Sequence, residues 1–156
     1  MAARERDETE RAAWWATMMP VPVDRLVFVD ETGTNTAMAE RYAWAPRGAR
    51  ATASVPRNPG PNTTLLACLT LDGMGPALLV EGAITAEVFA AYVEHVLVPW
   101  LRPGQLVILD NLSVHTGARV GELIAAAGCE LRFLPPYSPD FTPIEWAFSK
   151  LKTWLR

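Results

Sequence analysis

Residues 105–111 read QLVILDN, a short run of four apolar residues that ends in an acid. A run of this length, rich in branched aliphatic side chains, predicts a buried strand. The segment RLVFVDE at 25–31 repeats the pattern, so that Asp30 and Asp110 both follow an apolar strand. Ligands bind at the carboxyl ends of strands in α/β sheets. Both carboxylates are therefore candidate site residues, although an acid at a strand end is about as often a turn former.

The segments around these two strands predict one mixed α/β domain over residues 22–156, preceded by an N-terminal helical segment over 1–21. After the first strand, the pattern is a strand hairpin followed by alternating helices and strands. The predicted segments are a helix at 5–19, strands at 63–73 and 76–82, a helix capped by Thr85, a helix at 120–128, a strand at 130–136 and a last helix from Pro143. We expect the early strands to be antiparallel, the later ones parallel, and the helices to cover the faces of the sheet. Residues 32–60 are expected to form a long connection with a short strand at 42–45.

Composition excludes several classes of protein. The chain has 156 residues, half of them hydrophobic, and a net charge of −3. No apolar run approaches the roughly 18 residues of a membrane span, and the mixed-charge N-terminus is not typical of a secretory signal. Cys68 and Cys129 lie in apolar stretches, which favours reduced, buried thiols in a cytoplasmic protein. No zinc-like spacing of Cys and His is present.

Positive charge is concentrated in one part of the chain. Four arginines lie between residues 41 and 57, namely Arg41, Arg47, Arg50 and Arg57. The default interpretation is a solvated surface. A loop that faces phosphate groups is the alternative.

The third notable acid is Glu145, in LPPYSPDFTPIEWAFSKLK at 134–152. Pro143 suits the first position of a helix, which would make Thr142 the N-cap and Glu145 the third helical residue. Thr-x-x-Glu is the pattern of a capping box, in which the two side chains cap each other's backbone N–H groups. Taken alone, this pattern favours a structural role for Glu145.

Spacing gives the three acids a second interpretation. Between Asp110 and Glu145 lie 34 residues, which hold one predicted helix and one predicted strand. This unit brings the following helix back beside the strand of Asp110. Three carboxylates at strand and helix ends could converge on a pair of divalent cations, which prefer oxygen ligands and catalyse phosphoryl displacement.

Four blocks of the sequence resemble a known family. FVDET at 28–32, LDNLSVH at 109–115 and the proline-rich block at 134–152 are similar to the signature blocks of bacterial mariner-like insertion-sequence transposases, and YAWAPRGAR at 42–50 is similar to a further block. These proteins are DDE superfamily endonucleases with an RNase H-like fold. One departure is Thr142, where the family usually has Asn; both are good N-caps.

The resemblance implies a catalytic, metal-binding triad of Asp30, Asp110 and Glu145. It also implies two Mg²⁺ ions, which Mn²⁺ can replace, and DNA as partner: cleavage at transposon ends and transfer of the 3′-OH into target DNA at a TA dinucleotide. Residues expected to support the triad or contact DNA are Glu31, Asn111, His115, Arg47, Lys150 and Lys152. For His115, a contact to phosphate, a contact to a neighbouring side chain and a polar helix start all stay open, and Asp140 is interpreted as a loop acid.

The resemblance further implies a bacterial, nucleoid-associated homodimer. A helix-turn-helix part is expected upstream, as the first 20 residues are too short to contain it, and the sequence is expected to stop within its last helix. Two alternatives stay open: a silent remnant that binds or dimerises without cutting, and another RNase H-like nuclease.

Overall fold

The computed structural model describes residues 6–39, 42–112, 115 and 117–156. Within them the helices are α1 (Glu8–Met18), α2 (Ala86–Tyr92), α3 (Ala118–Ala126) and α4 (Ile144–Trp154). The strands are β1 (Leu26–Thr34), β2 (Thr63–Thr70), β3 (Gly73–Glu81), β4 (Leu106–Leu109) and β5 (Glu130–Phe133). A π-helical turn, Val93–Leu97, extends α2, and short 3₁₀ turns cover Val23–Arg25 and Pro139–Phe141. No described helix is long and apolar enough to cross a membrane.

The strands form one mixed sheet in the order β3-β2-β1-β4-β5. β1 pairs with β2, and β2 with β3, in antiparallel fashion. β1 also pairs with β4, and β4 with β5, in parallel. The predicted mixed sheet is therefore confirmed, with β1 at its centre where the two halves meet.

Helices cover both faces of the sheet. Successive strand residues point to opposite sides, and β1 has apolar residues on both. On one side, Val27 and Val29 pack with residues of α2, its π-helical extension and α3. On the other side, Phe28 packs beneath α1 and α4. Asp30 follows Phe28 by two residues and thus belongs to the α1 and α4 side. Cys68 and Cys129 are both buried and unpaired, as predicted.

The prediction that β1 ends at its acids is wrong. β1 continues to Thr34, so Asp30 is the fifth of its nine residues. The reason is that the two neighbours of β1 end at different points. Pairing with β4 stops at Phe28↔Ile108, whereas pairing with β2 runs on to Thr34↔Thr63. Asp30 is therefore at the end of the parallel pairing, although it is not at the end of its strand.

The short strand expected at 42–45 is also absent: these residues have no regular structure, and Tyr42 and Trp44 are 89% and 102% exposed. Strand pairing would need a neighbouring edge, and the edge of β1 is already taken by β2 at this end. Arg41 lies outside the described residues.

The capping box predicted for the last helix is not formed. α4 begins at Ile144, and no side chain caps it; Pro143 precedes it with helical φ and ψ of −72° and −16°. The Glu145 carboxylate was expected to accept a hydrogen bond from the Thr142 N–H. This N–H instead donates to the Pro139 carbonyl at 3.3 Å. The Thr142 N–H is thus used by the 3₁₀ turn before the helix. Consequently the Glu145 carboxylate is not used as a cap.

Candidate active site

The three predicted triad acids line one cavity of about 400 Å³. Asp30 and Asp110 each follow, by two residues, the last parallel pair of β1 and β4, Phe28↔Ile108. Since they have the same offset from that pair, their side chains leave neighbouring strands toward the same side. The point at which β1 and β4 separate therefore creates the opening in which both carboxylates sit.

Helix α4 adds the third acid by packing against this part of β1. Ile144 is fully buried and Phe148 is 2% exposed, and both contact Ala67 on β2, the register partner of Asp30. Glu145 follows the buried Ile144 directly, so it lies at the rim of the packed surface and its exposed side chain reaches the cavity. Core packing of the first two turns of α4 thus sets the face of the helix on which Glu145 lies.

The rest of the cavity is formed by the segment between β5 and α4. Leu134, Pro135, Pro136, Tyr137, Ser138, Pro139 and Thr142 line it, together with Asn111 and Leu112 after β4. Tyr137 has a φ of 53°, a left-handed conformation that is costly for a residue with a side chain. This segment carries few side chains that ionise, so the charge of the cavity comes mainly from the three acids.

The electrostatics of the cavity disfavour a full set of ionised acids without a counter-ion. Burial raises the pKa of Asp30 to about 7, although the Glu31 N–H bonded to its carboxylate at 2.8 Å lowers it, and repulsion from Glu145, Glu31 and Asp110 raises it further. Among the described residues, no Lys or Arg lines this cavity. The donors are carboxylate oxygens, the ligands that Mg²⁺ prefers. The residues therefore fit a divalent cation.

The acids do not form a closed cage. Among the described residues, no three His, Cys, Asp or Glu side chains converge closely enough to hold one ion. Mg²⁺ is normally held by one or two carboxylates, with water and substrate phosphate completing its octahedron. An open set of donors would leave positions on a bound ion free for water or substrate oxygens.

His115 lies behind the cavity and contacts neighbouring side chains, one of the three alternatives left open by the sequence. Its imidazole is fully buried, with Nδ1 hydrogen-bonded to Asp110 and Nε2 3.0 Å from Glu31 Oε2. The second pair is poorly aligned, so neither of its two atoms has a hydrogen-bond partner. Burial lowers the pKa of His115, but Asp110 and Glu31 outweigh it and raise the pKa to about 9. His115 thus orients Asp110, and it lies between the Asp110 and Glu31 side chains.

The other predicted contact residues are scattered. Asn111 is exposed and lines the cavity. Lys152 shares a small groove with Glu145 on α4, whereas Lys150 lines neither space. Arg47 is exposed in the irregular segment 42–62 and does not line the cavity.

Sequence reasoning missed one charged pair near the site. Arg11 on α1 is only 4% exposed and binds Asp140, the residue interpreted as a loop acid. The partners are 129 positions apart, and Arg11 occurs in a helix of mixed charge whose pattern suggests only local pairs. No signal in the sequence would have identified this contact.

Comparison with known proteins agrees with this geometry. The family model described as "DDE superfamily endonuclease" matches residues 25–156. No curated protein sequence matches significantly. Among solved structures, the chain is similar to the Mos1 strand transfer complex, with 19% identity and a TM-score of 0.76 over 99% of this chain and 51% of that one.

Two further structures agree. The mariner Mos1 paired-end complex with Mg gives 18% identity and a TM-score of 0.75 over 99% of this chain and 51% of that one. The Mos1 mariner catalytic domain gives 15% identity and a TM-score of 0.64 over 99% of this chain and 76% of that one. The chain thus spans about half the length of the Mos1 chains in the two complexes, and the predicted RNase H-like fold is confirmed. The extent of the family match establishes that this chain belongs to the DDE superfamily endonucleases.

Proposed function

We propose that this chain is the catalytic domain of a DNA transposase, which cleaves DNA at transposon ends and transfers the 3′-OH into target DNA. The observation that carries the proposal is that Asp30, Asp110 and Glu145, from β1, the end of β4 and α4, line one cavity. This arrangement agrees with the family and with the similarity to the Mos1 strand transfer and paired-end complexes.

We assign Asp30, Asp110 and Glu145 as the catalytic residues and as ligands of two Mg²⁺ ions, which Mn²⁺ can replace. Bound there, such ions would lower the pKa of the attacking hydroxyl and stabilise the leaving oxygen. Asp110 is kept in position by His115, and Asp30 by the Glu31 N–H. Lys152, in the same groove as the Glu145 side chain, is suited to bind a backbone phosphate. Asn111 at the cavity and the exposed Arg47 are further candidate DNA contacts.

Partners outside this chain belong to the same proposal. We infer that the enzyme works as a homodimer that pairs two transposon ends, inserts at TA and depends on a helix-turn-helix part for end recognition. We also infer a bacterial protein that acts at the nucleoid. The net charge of −3 is compatible with this division, because the electrostatic footprint on DNA would then not rest on this domain alone.

The test is Asp110→Asn, which keeps the size of the side chain and removes its charge. We expect Mg²⁺-dependent cleavage of transposon-end duplexes to fall by at least about a thousandfold, on the scale of losing a central catalytic group. Thermal unfolding should show that the variant is folded. Glu122→Gln is the matched control, since Glu122 is exposed on α3 and does not line the cavity.

Substrate choice separates the remaining alternatives. RNA–DNA hybrids and branched DNA should be cut more slowly than transposon-end duplexes. Normal cleavage by Asp110→Asn would refute the assignment of the site, and faster cleavage of hybrids would indicate a different RNase H-like nuclease. Mg²⁺ binding without cleavage of any substrate would indicate a silent remnant.

A further inference from the structure

Helix α1 binds the segment that leads into α4 through an ion pair whose arginine is buried. Arg11 Nη1 donates to Asp140 Oδ1 at 3.2 Å, and Nη2 donates to Oδ2 at 2.7 Å. The guanidinium is almost completely buried, whereas the Asp140 side chain is about half exposed. A two-pronged arginine–carboxylate pair fixes orientation as well as distance. Asp140 is therefore held in one place relative to α1.

Aromatic contacts strengthen the same attachment at two points. The Phe141 ring lies under the Arg11 guanidinium, with Cζ 3.9 Å from its centroid, and stacks on Trp14 at 5.2 Å with an interplanar angle of 18°. The Trp14 indole Nε1 donates to the Phe133 carbonyl at 2.9 Å, where β5 ends. Helix α1 thus contacts the chain at both ends of segment 134–143, through Phe133 and Phe141.

The backbone hydrogen bonds of this segment lie toward its two ends: the Leu134 N–H donates to the Leu109 carbonyl, and two N–H groups close the 3₁₀ turn at 139–141. Four of its ten residues are prolines, which have no N–H to donate. Tyr137 adopts a left-handed conformation at φ 53°. A conformation of this kind persists only when surrounding contacts hold it. The contacts from α1 are well placed to supply that constraint.

The segment ends at the first turn of α4, where Glu145 follows Asp140 by five residues. The expected capping box is missing there, so no local side-chain bond fixes the start of α4. We propose that Arg11 and Asp140 are a positioning pair, which holds the 134–143 segment and thereby places the Glu145 carboxylate opposite Asp30 and Asp110. This inference rests on the proposed function of those acids, and it assigns a role to a helix that precedes the family match at residue 25.

The experiment compares the wild-type chain with Arg11→Ala, Arg11→Lys, Asp140→Asn and the double variant Arg11→Ala/Asp140→Asn. Two quantities are measured: Mn²⁺ affinity by calorimetry, and amide hydrogen exchange over residues 144–148. Arg11→Ala should weaken Mn²⁺ binding by about tenfold or more, since small displacements of a positioned group are costly, and should speed exchange in α4. Arg11→Lys should recover only part of the Mn²⁺ affinity and of the exchange protection, because lysine keeps the charge but not the two-pronged geometry of the guanidinium. The double variant should be no worse than Arg11→Ala, as expected for a coupled pair.

The control is Ile124→Val on α3, which loosens the core on the other side of the sheet. It should leave Mn²⁺ affinity and exchange at 144–148 unchanged at a comparable loss of thermal stability. If Arg11→Ala does not fold, Asp140→Asn decides, since its side chain is half exposed. The inference is overturned if the pair variants match the control in both measurements. Equal Mn²⁺ affinity in wild type and Asp110→Asn would instead refute the proposed metal site, and exchange at 144–148 would then decide on the positioning pair alone.

Discussion

Replacing Gly75 by alanine should destabilise the protein by crowding two neighbouring side chains. An alanine Cβ at this position of β3 would lie 2.5 Å from Cys68 Sγ and 3.1 Å from two ring carbons of Trp100. Gly75 is not among the glycines with positive φ, so the backbone itself accepts alanine. The whole cost should therefore come from crowding.

The size of the effect follows from how little the neighbours can move. Cys68 is fully buried within the core formed by β1, β2 and α2. Overfilling such a core costs about 1–3 kcal/mol, which is a large share of the roughly 5–15 kcal/mol that stabilise a typical domain. For a chain of this length, each 1 kcal/mol lowers the melting temperature by about 2–4 °C.

A double-mutant cycle isolates the contact with Cys68. Cys68→Ala alone removes one buried sulfur and should cost about 1 kcal/mol, close to the value of a buried methylene. Combined with Gly75→Ala, it removes the closest clash and the new methyl group fills the vacated space. The two changes should therefore be less destabilising together than their sum, by about 1 kcal/mol or more.

Urea denaturation followed by circular dichroism measures all four proteins. Gly33→Ala on β1 is the matched control, because a Cβ there would meet no atom within 4 Å. It should be neutral or stabilise by a few tenths of a kcal/mol up to about 1 kcal/mol. Strict additivity of Gly75→Ala and Cys68→Ala, or a Gly75→Ala variant as stable as wild type, would refute the argument from crowding.

Two further predictions concern the site. Asp30→Asn should stabilise the metal-free protein at pH 8 by about 1 kcal/mol or more, because burial and three neighbouring acids raise the pKa of Asp30 to about 7 and disfavour its ionised form. Thermal unfolding in the presence of a chelator measures this gain. When Mn²⁺ is added, the variant should not show the increase in melting temperature that is expected for the wild type. Thr142→Ala should lower the free energy of unfolding by less than the ~1 kcal/mol of a lost helix cap, because no side chain caps α4. Urea denaturation measures this free energy. A loss of about 1 kcal/mol or more would show that the Thr142 hydroxyl does cap the helix in solution.

The succession of strands and helices along the chain and the approximate positions of the acids could be predicted from the sequence, because apolar periodicity and turn residues are local signals. The parallel orientation of the later strands also followed from the alternation of helices and strands, whereas the pairing of β1 with β4 was not predicted. Where that pairing stops could not be predicted either. The end of β1 depends on β2, whose pairing with β1 runs on to Thr34 after the pairing of β1 with β4 has stopped at Phe28↔Ile108.

The helix start shows a second limit of local patterns. Thr142 and Glu145 have the spacing of a capping box, yet the 3₁₀ turn at 139–141 competes for the Thr142 N–H and takes it. The Arg11–Asp140 pair shows a third limit. It joins residues at opposite ends of the chain, and neither side chain differs in local pattern from an ordinary surface charge.

The central position of β1 has a consequence for folding. Its two neighbours, β2 and β4, come from distant parts of the chain, and the site needs β1, the end of β4 and α4 at once. Contacts between residues 80 and 115 positions apart are expensive in loop-closure entropy and form slowly. During synthesis, Asp30 leaves the ribosome long before Glu145 exists, so a partly made chain cannot assemble the cavity. On the proposed function, nuclease competence would arrive in one late, cooperative step, and unfinished copies of the chain would not cut nearby nucleic acid.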